Sequence, residues 1–484
     1  MRENNCNLEK FAIRWRKKSQ ERSAPRGGEG EMERGKSSHK LRNMTEGSIS
    51  GHLLAFAFPM FLGSLLQQLY NMVDSWVVGR FVSEAALAAV GIGYPVIFMF
   101  TSLFMGMSNG TTVAIAQYYG AGKMDRVRDV VDTTYTFFTL AVVPITVLAL
   151  VIARPVLLLM RVEDAAMGDA YLYLMIVSGG LIGAIGYNMN SGILQGVGNS
   201  RASLLFLGIS AVMNIILDLL FVLQFHWGVA GVAIATIISQ FCSWLFGVFY
   251  INRNYTAFAI RPFCLRFDRK LFRKIMGIGL PAGIQFATVS VGMMAIMSQV
   301  NAFGTSYAAG YNVGNKLDSM AFLPIQAIAS AITAFVGQNV GAKKEDRVHR
   351  GVILGILYAV GWCVIIFAVL YPARFLAASF FTDSQGAVNG AALLLQCILP
   401  VYPLFAVQFT MCSVMRGAGE SVVPMLTVVT SQVLLRVPGV YLLAHFFGPT
   451  YMYYGFGIGW FFGAAATVIY FFSGRWKRRG SLAE

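Results

Sequence analysis

From about residue 52 onward the chain reads as long apolar blocks separated by short polar interruptions, with no strict alternation of apolar and polar positions. The blocks repeatedly run 20 or more residues with scarcely a charge. That is the length an α-helix needs to cross a ~30 Å hydrocarbon core. Twelve such spans are expected, near 52–79, 86–112, 130–152, 170–194, 203–223, 229–250, 275–302, 308–336, 351–371, 388–415, 421–444 and 452–473. The short alternating segments of a membrane β-barrel are missing. The pattern predicts an all-α polytopic membrane protein with twelve transmembrane helices.

The polar interruptions are not independent of one another. "QYYGAGKMDRV" at 117–127 returns 221 residues later as "QNVGAKKEDRV" at 338–348. At the same offset "LQGVGNS" (194–200) matches "MRGAGES" (415–421), and Gly93 matches Gly314; Pro59 and Pro281 differ by 222. Several agreements at one shift identify two homologous halves. Six spans separate the copies, so both halves enter the membrane in the same direction and form parallel repeats. The expected organisation is a polar segment 1–50, a six-helix lobe 51–252, a basic linker 253–273, a second six-helix lobe 274–474 and a basic tail 475–484. The repeated Gly-Ala motifs read as loop closures and hinges more than as substrate contacts.

Composition adds orientation. Hydrophobic residues make up 56% and charged residues 13%, with 38 Lys+Arg against 23 Asp+Glu and a net charge of +15. Lys123, Arg126, Arg128, Arg201, Arg253, Arg261, Arg266, Arg269, Lys270, Arg273, Lys274, Lys343, Lys344, Arg347 and Arg350 all follow even-numbered spans, whereas Arg80, Arg161 and Arg374 are scattered among acids on the other side. Basic loops stay on the cytoplasmic side, so both termini are expected there, in an inner or plasma membrane. The charge is thus topological, with a weak attraction to anionic lipid, and no nucleic-acid partner is expected. Residues 1–50 hold twelve Lys/Arg and seven Asp/Glu and no stretch long enough for a signal peptide. Two readings stand for them: a disordered tail, or an extension upstream of a natural start at Met44.

Chemistry for an enzyme is not apparent. Cys6, Cys242, Cys264, Cys363, Cys397 and Cys412 show no CxxC or paired spacing, so neither a disulfide framework nor a zinc site is expected. No Walker A loop or HExxH occurs, and Gly106-Met107-Ser108-Asn109-Gly110, which fits GxSxG, stands inside an apolar span with no strand before it and does not support an enzyme. No cofactor is expected, and His226 and His445 are lone residues at span ends.

Four segments resemble the multidrug and toxic compound extrusion (MATE) family: "LLQQLYNMVDSWVVGRFVSEAALAAVG" (65–91), "YNMNSGILQGVGNSRASL" (187–204), "NIILDLLFV" (214–222) and "AFVGQNVGAKKEDRV" (334–348). The resemblance covers essentially everything after Met44. It implies a two-lobe fold, alternating access, and export of organic compounds against H⁺ or Na⁺ entry. Gln195 and Asn199 stand where relatives often carry Arg and Asp. The seventh span reads "GIQFATVSVGMM" without an acid, and Phe405 occupies the place of an acid in the tenth, so a sodium site of the C-terminal-lobe type is not expected.

Ionisable groups inside spans are functional candidates because burying them is costly. Four stand out: Asp74, Asp218, Asp318 and Arg436. Asp74 and Asp218 each lie five residues before the outer end of a span running in the same direction, roughly 7 Å deep at the helical rise. Equal depth permits one shared pocket. Asn214 lies four residues before Asp218 and Asn71 three before Asp74, so each shares its acid's helical face. Two carboxylates together in a low dielectric cannot both ionise cheaply, which makes the pair a candidate proton acceptor; Asp74, Asp218 and Asn214 also form a candidate Na⁺ site. The family resemblance implies the same positions. The bland alternative is a pair of neutral packing groups bonded to Asn or Tyr.

Asp318 is read either as a cavity residue or as the ion-pair partner of Arg436. Gln67, Tyr70, Asn188, Gln285 and Tyr311 join Asp318 and Arg436 as cavity candidates, since mid-span polar groups prefer protein to lipid. The 23 Met and 37 Phe, with a cluster "GMMAIM" at 292–297, form either an adaptable cavity or ordinary lipid-facing and packing surface. Gly106/Gly110 and Gly310/Gly314 read as helix-packing pairs. The expected function is a monomeric secondary antiporter exporting small organic cations or amphipathic drugs in exchange for H⁺ or Na⁺. Its rivals are a lipid-linked precursor flippase, a membrane-embedded enzyme and a channel.

Overall fold

The computed structural model describes residues 42–160, 162, 164–261 and 266–476. Residues 1–41, Arg161, Cys264 and the tail from 477 lie outside the described residues, and the two readings of the N-terminal segment fall largely there. Among the described residues there are helices and no strand. The first half comprises α1 (Ile49–Phe81), α2 (Glu84–Gly120), α3 (Met124–Leu159), α4 (Asp164–Gly179), α5 (Leu181–Gly196), α6 (Ser200–Leu219) and α7 (Gly228–Asn254). The second comprises α8 (Arg269–Asn301), α9 (Thr305–Gly341), α10 (Glu345–Leu370), a short α11 (Arg374–Ser379), α12 (Gln385–Ile398), α13 (Tyr402–Gly417), α14 (Val422–Val429), α15 (Arg436–Phe447) and α16 (Tyr454–Phe472).

The duplication is visible in the elements. α1 and α8 are both 33 residues long, α2 and α9 both 37, and α5 and α13 both 16. Side-chain caps set the starts of α1, α2, α6 and α8: Ser48 accepts from the amide of Gly51, Ser83 from Ala86, Asn199 from Ala202, and Asp268 from Lys270 and Leu271. Such caps satisfy amides that a helix leaves unbonded at its start. Among the described residues, eleven helical segments are long and apolar enough to cross a membrane. α4 and α5, bent by 49° at Gly180, complete the expected twelve. The fifth and eleventh spans each contain a π-helical turn, at Leu220–Gln224 and Thr430–Leu435. These widened turns adjoin Asp218 and Arg436, in keeping with the tendency of π-turns to mark functional places.

The sequence divides into lobes more simply than the structure does. The upper part of α1 packs in its own lobe: Val77 and Val78 cluster with Val222 and Val229. Its lower part crosses over, with Leu53 and Phe56 packed among Ala331, Phe335, Val348 and Met411 of the second half. α8 does the reverse. Leu271 and Ile275 pack with Val127, Tyr135 and Ile185, whereas Ile296 and Val300 cluster with Tyr311 and Tyr453. The crossings are glycine-lined: a Cβ on Gly106 would lie 2.4 Å from Gly279 O, and one on Gly110 2.5 Å from Ile275 O. Gly310 and Gly314 pack similarly on Gly390 and Leu394. Both glycine pairs are packing pairs, as the spacing predicts.

The repeated motifs meet at the end of the bundle that carries the basic loops. Gly120 and Gly341 close α2 and α9, and a Cβ on either would lie 1.9 Å from the backbone oxygen of Gln338 or Gln117 respectively. The motifs do turn the chain, with Gly122 and Lys343 in left-handed backbone conformations. They also interlock the two halves, which their sequence does not disclose. Residues 44–47 lie against the second copy. Met44 is fully buried; its amide donates to Gln338 Oε1 at 2.9 Å, and Arg347 Nη2 donates to Met44 O at 3.1 Å.

Candidate transport site

α1, α2, α4, α5, α6 and α7 enclose a cavity of about 460 Å³, to which α9 adds Leu323 and Gln326. Its lining is mostly uncharged and polar. Gln67, Gln68, Tyr70 and Asn71 come from α1, Tyr94 from α2, Tyr173 from α4, and Asn188 and Gln195 from α5. Thr236 and Gln240 come from α7, and Asp74 is the one ionisable carboxylate in the lining. These polar groups recur at helical spacing on faces that would otherwise meet lipid, which is why the helices gather around them.

Asp218 and Asn214 sit behind that wall, 0% and 1% exposed. The Asp218 and Asp74 carboxyl groups come within hydrogen-bonding reach of each other. Asp218 Oδ1 and Oδ2, Asp74 Oδ1 and Asn214 Oδ1 are all buried without a protein donor. Asn214 Nδ2 donates to Thr236 Oγ1 at 3.5 Å, which turns its carbonyl oxygen away from that bond. Four acceptor oxygens with no donor constitute an environment for a positive particle. Buried acceptors left empty cost free energy; one proton between the carboxyls, or one small cation among the oxygens, relieves that cost.

The structure brings Gln67, Tyr70, Asn71, Asp74 and Asn188 to one cavity, with Asn214 and Asp218 directly behind it. It does not bring Gln285, Tyr311, Asp318 and Arg436 there; they lie within the second lobe. Nor do Asp318 and Arg436 form an ion pair. Arg436 Nη1 donates to Gln432 Oε1 at 2.8 Å and its guanidinium lies 3.5 Å from the Phe456 ring centroid, while Asp318 Oδ1 and Arg436 Nε have no partner. The aromatic face and the carboxamide hold the guanidinium out of the carboxylate's reach. Met293 and Met294, 42% and 61% exposed, face outward from α8, whereas Ile296 is buried in the second lobe's core with Met297 packed against it, so the cluster divides between outer surface and packing and does not line the cavity.

Tyr94, Tyr173 and Gln240 were not singled out by sequence, although each is a polar residue in an apolar run, the signal that identified Gln67. Arg416 was missed for a different reason: it falls one residue beyond the expected end of the tenth span, yet it is buried, 8% exposed.

A family model named MatE matches residues 59–220 and again 281–442, one copy in each half. The chain belongs to the MatE family. Its MatE relatives include the probable multidrug resistance protein YpnP of Bacillus subtilis, 28% identical over 90% of this chain and 98% of the relative. Another is the probable multidrug resistance protein NorM of Thermotoga maritima, 26% identical over 90% and 95%. The fold matches a MOP superfamily transporter from Pyrococcus furiosus described as having a binding pocket of reverse polarity, with a TM-score of 0.84 at 22% identity over 93% of this chain and 100% of that one. It also matches an outward-facing multidrug resistance MATE transporter, TM-score 0.83 at 22% identity over 92% and 98%. A two-lobe MatE fold with this many apolar helices belongs in a membrane.

Proposed function

We propose that this MatE chain is a secondary antiporter that exports amphipathic or cationic organic compounds in exchange for H⁺ or Na⁺. Four donorless oxygens of Asp74, Asn214 and Asp218 at the wall of a polar cavity carry the reading. The names of the relatives support the substrate class. We take the basic end as cytoplasmic, in an inner or plasma membrane, the protein as a monomer, and the moving bodies as 51–252 and 274–474 joined by 253–273.

In this reading Asp74 presents its charge to the cavity, where an organic cation is attracted to it. Arrival of a proton or sodium ion between Asp74 and Asp218 removes that attraction, and the compound leaves outward. Coupling requires only that the two conformations differ in affinity for both ligands. Gln67, Tyr70 and Asn188 orient the compound through hydrogen bonds.

Reconstitution into vesicles, with ΔpH and Na⁺ varied separately while a fluorescent cation is followed, tests this directly. Substrate addition to the wild type is expected to release protons, or to respond to Na⁺, and Asp74→Asn abolishes the response while the protein remains monodisperse. Unaltered exchange in Asp74→Asn removes Asp74 from the mechanism.

A further inference from the structure

The two lobes treat equivalent places differently. In the first, Ser64, Ser191 and Gln195 line the cavity, and Gln195 Nε2 donates to Ser191 Oγ at 2.9 Å. Advancing 221 residues replaces Ser64 by Gln285 and Gln195 by Arg416. A neutral lining in one half therefore corresponds to a guanidinium in the other.

Arg416 is held by neutral groups throughout. Nη2 donates to Ser413 Oγ at 2.9 Å, Nη1 reaches Gln285 Oε1 at 3.5 Å, and the guanidinium stands 5.9 Å from the Phe409 ring centroid. Among the described residues no carboxylate comes within salt-bridge distance of it. Glu420, four positions on, accepts from the amides of Val422 and Val423. A buried cation without a counter-charge is costly. Placement in the last turn of α13 offsets part of that cost through the helix dipole and no more. Nη1 and Nη2 each reach one protein acceptor, and Nε, which has none, is not among the walled-in unpartnered atoms. A planar fork with free donors matches a carboxylate or phosphate.

We propose that Arg416 is an anion-recognition residue of the second lobe, taking the carboxylate or phosphate of an amphoteric transported compound, or the same chemistry as a free oxyanion. Gln285 and Ser413 position the fork, and Phe409 supports one side. The proposal rests on the exporter reading for the identity of the compound, and it deepens that reading: substrates include molecules that carry a negative group beside their positive one.

The test uses rhodamine B, a cationic dye bearing a carboxylate, and its ethyl ester, which lacks the negative charge. Equilibrium binding of both dyes is measured on the purified full chain, for wild type and Arg416→Gln. The wild type prefers the acid, and Arg416→Gln lowers the acid-to-ester affinity ratio by about tenfold, the scale of a lost charged hydrogen bond. Inorganic phosphate that raises the thermal midpoint of the wild type and not of Arg416→Gln, with no acid–ester discrimination, assigns the site to a free oxyanion. Equal ratios and equal phosphate responses in the two proteins overturn the proposal. Should Arg416→Gln fail to give monodisperse protein, Gln285→Leu replaces it: loss of the guanidinium's holder lowers the ratio about threefold, and an unchanged ratio overturns the proposal. Vesicles that move neither dye overturn the exporter reading and leave the binding ratios to decide this one.

Discussion

Gln117 and Gln338 occupy equivalent places in the two halves, and each reaches into the half it does not belong to. Gln117 Nε2 donates to Gly417 O at 3.0 Å, and Gln338 Nε2 donates to Gly196 O at 3.2 Å. The duplicated motif therefore carries a duplicated fastening. Its leading glutamine supplies the bond, and the glycine three residues on lets the two backbones come together.

Opening the basic end must break both bonds. Each buried hydrogen bond contributes about 1 kcal/mol, so Gln117→Ala or Gln338→Ala is expected to shift the balance toward an open basic end by about fivefold. Maleimide labelling of a cysteine placed at Ser191, probed from that side, reads the change as a faster rate. An unchanged rate in both variants shows that the glycine contact alone holds the end shut.

Residues 44–47 depend on the same region. Arg347 donates to the backbone oxygens of Met44, Glu46 and Gly47, and Lys344 donates to that of Thr45. Arg347→Ala removes three of these bonds, and hydrogen exchange at the Met44 amide should accelerate by about tenfold or more, since exchange follows local opening. Exchange as slow as in the wild type would assign the hold on this segment to Gln338.

Asp74 and Asp218 should separate under kinetics. Asp74 lines the cavity and Asp218 does not. Asp74→Asn is expected to raise KM for an organic cation by about tenfold as well as to uncouple transport. Asp218→Asn should uncouple with a much smaller change in KM. The same KM increase in both variants would mean that the compound reaches Asp218 itself.

The glycine crossing between α2 and α8 has no room for a methyl group. Gly106→Ala places a carbon 2.4 Å from Gly279 O and Gly283 N, and overpacking of this kind costs about 1–3 kcal/mol. A thermal midpoint lowered by several degrees in detergent is expected. Gly277, whose added Cβ meets nothing within 4 Å, serves as the control, with Gly277→Ala close to wild type.

Much of this was legible because lipid imposes a simple rule. Unbroken apolar runs gave the spans, and polar residues interrupting them, such as Gln67, Asn71 and Asp74, identified the cavity wall. The equal depth of Asp74 and Asp218 followed from counting along two parallel helices. What sequence withheld were relations between halves. Nothing in "QNVGAKKEDRV" says that its glutamine bonds a carbonyl 142 residues earlier, and nothing near Leu53 says that it packs in the other lobe. Asp318 and Arg436 illustrate the converse: two opposite charges inside the eighth and eleventh spans suggested a pair, but the face of Phe456 and the carboxamide of Gln432 claimed the arginine first.

The exchange of helix segments between lobes has a consequence for how the protein can be assembled. The lower part of α1 is core material for the second half, and the lower part of α8 is core material for the first. Divided in the 255–268 linker and produced separately, each fragment would lack part of its own interior and display an unfilled glycine furrow to lipid. Each should be degraded alone and persist when both are made in one cell, because only together do they complete two interiors at once.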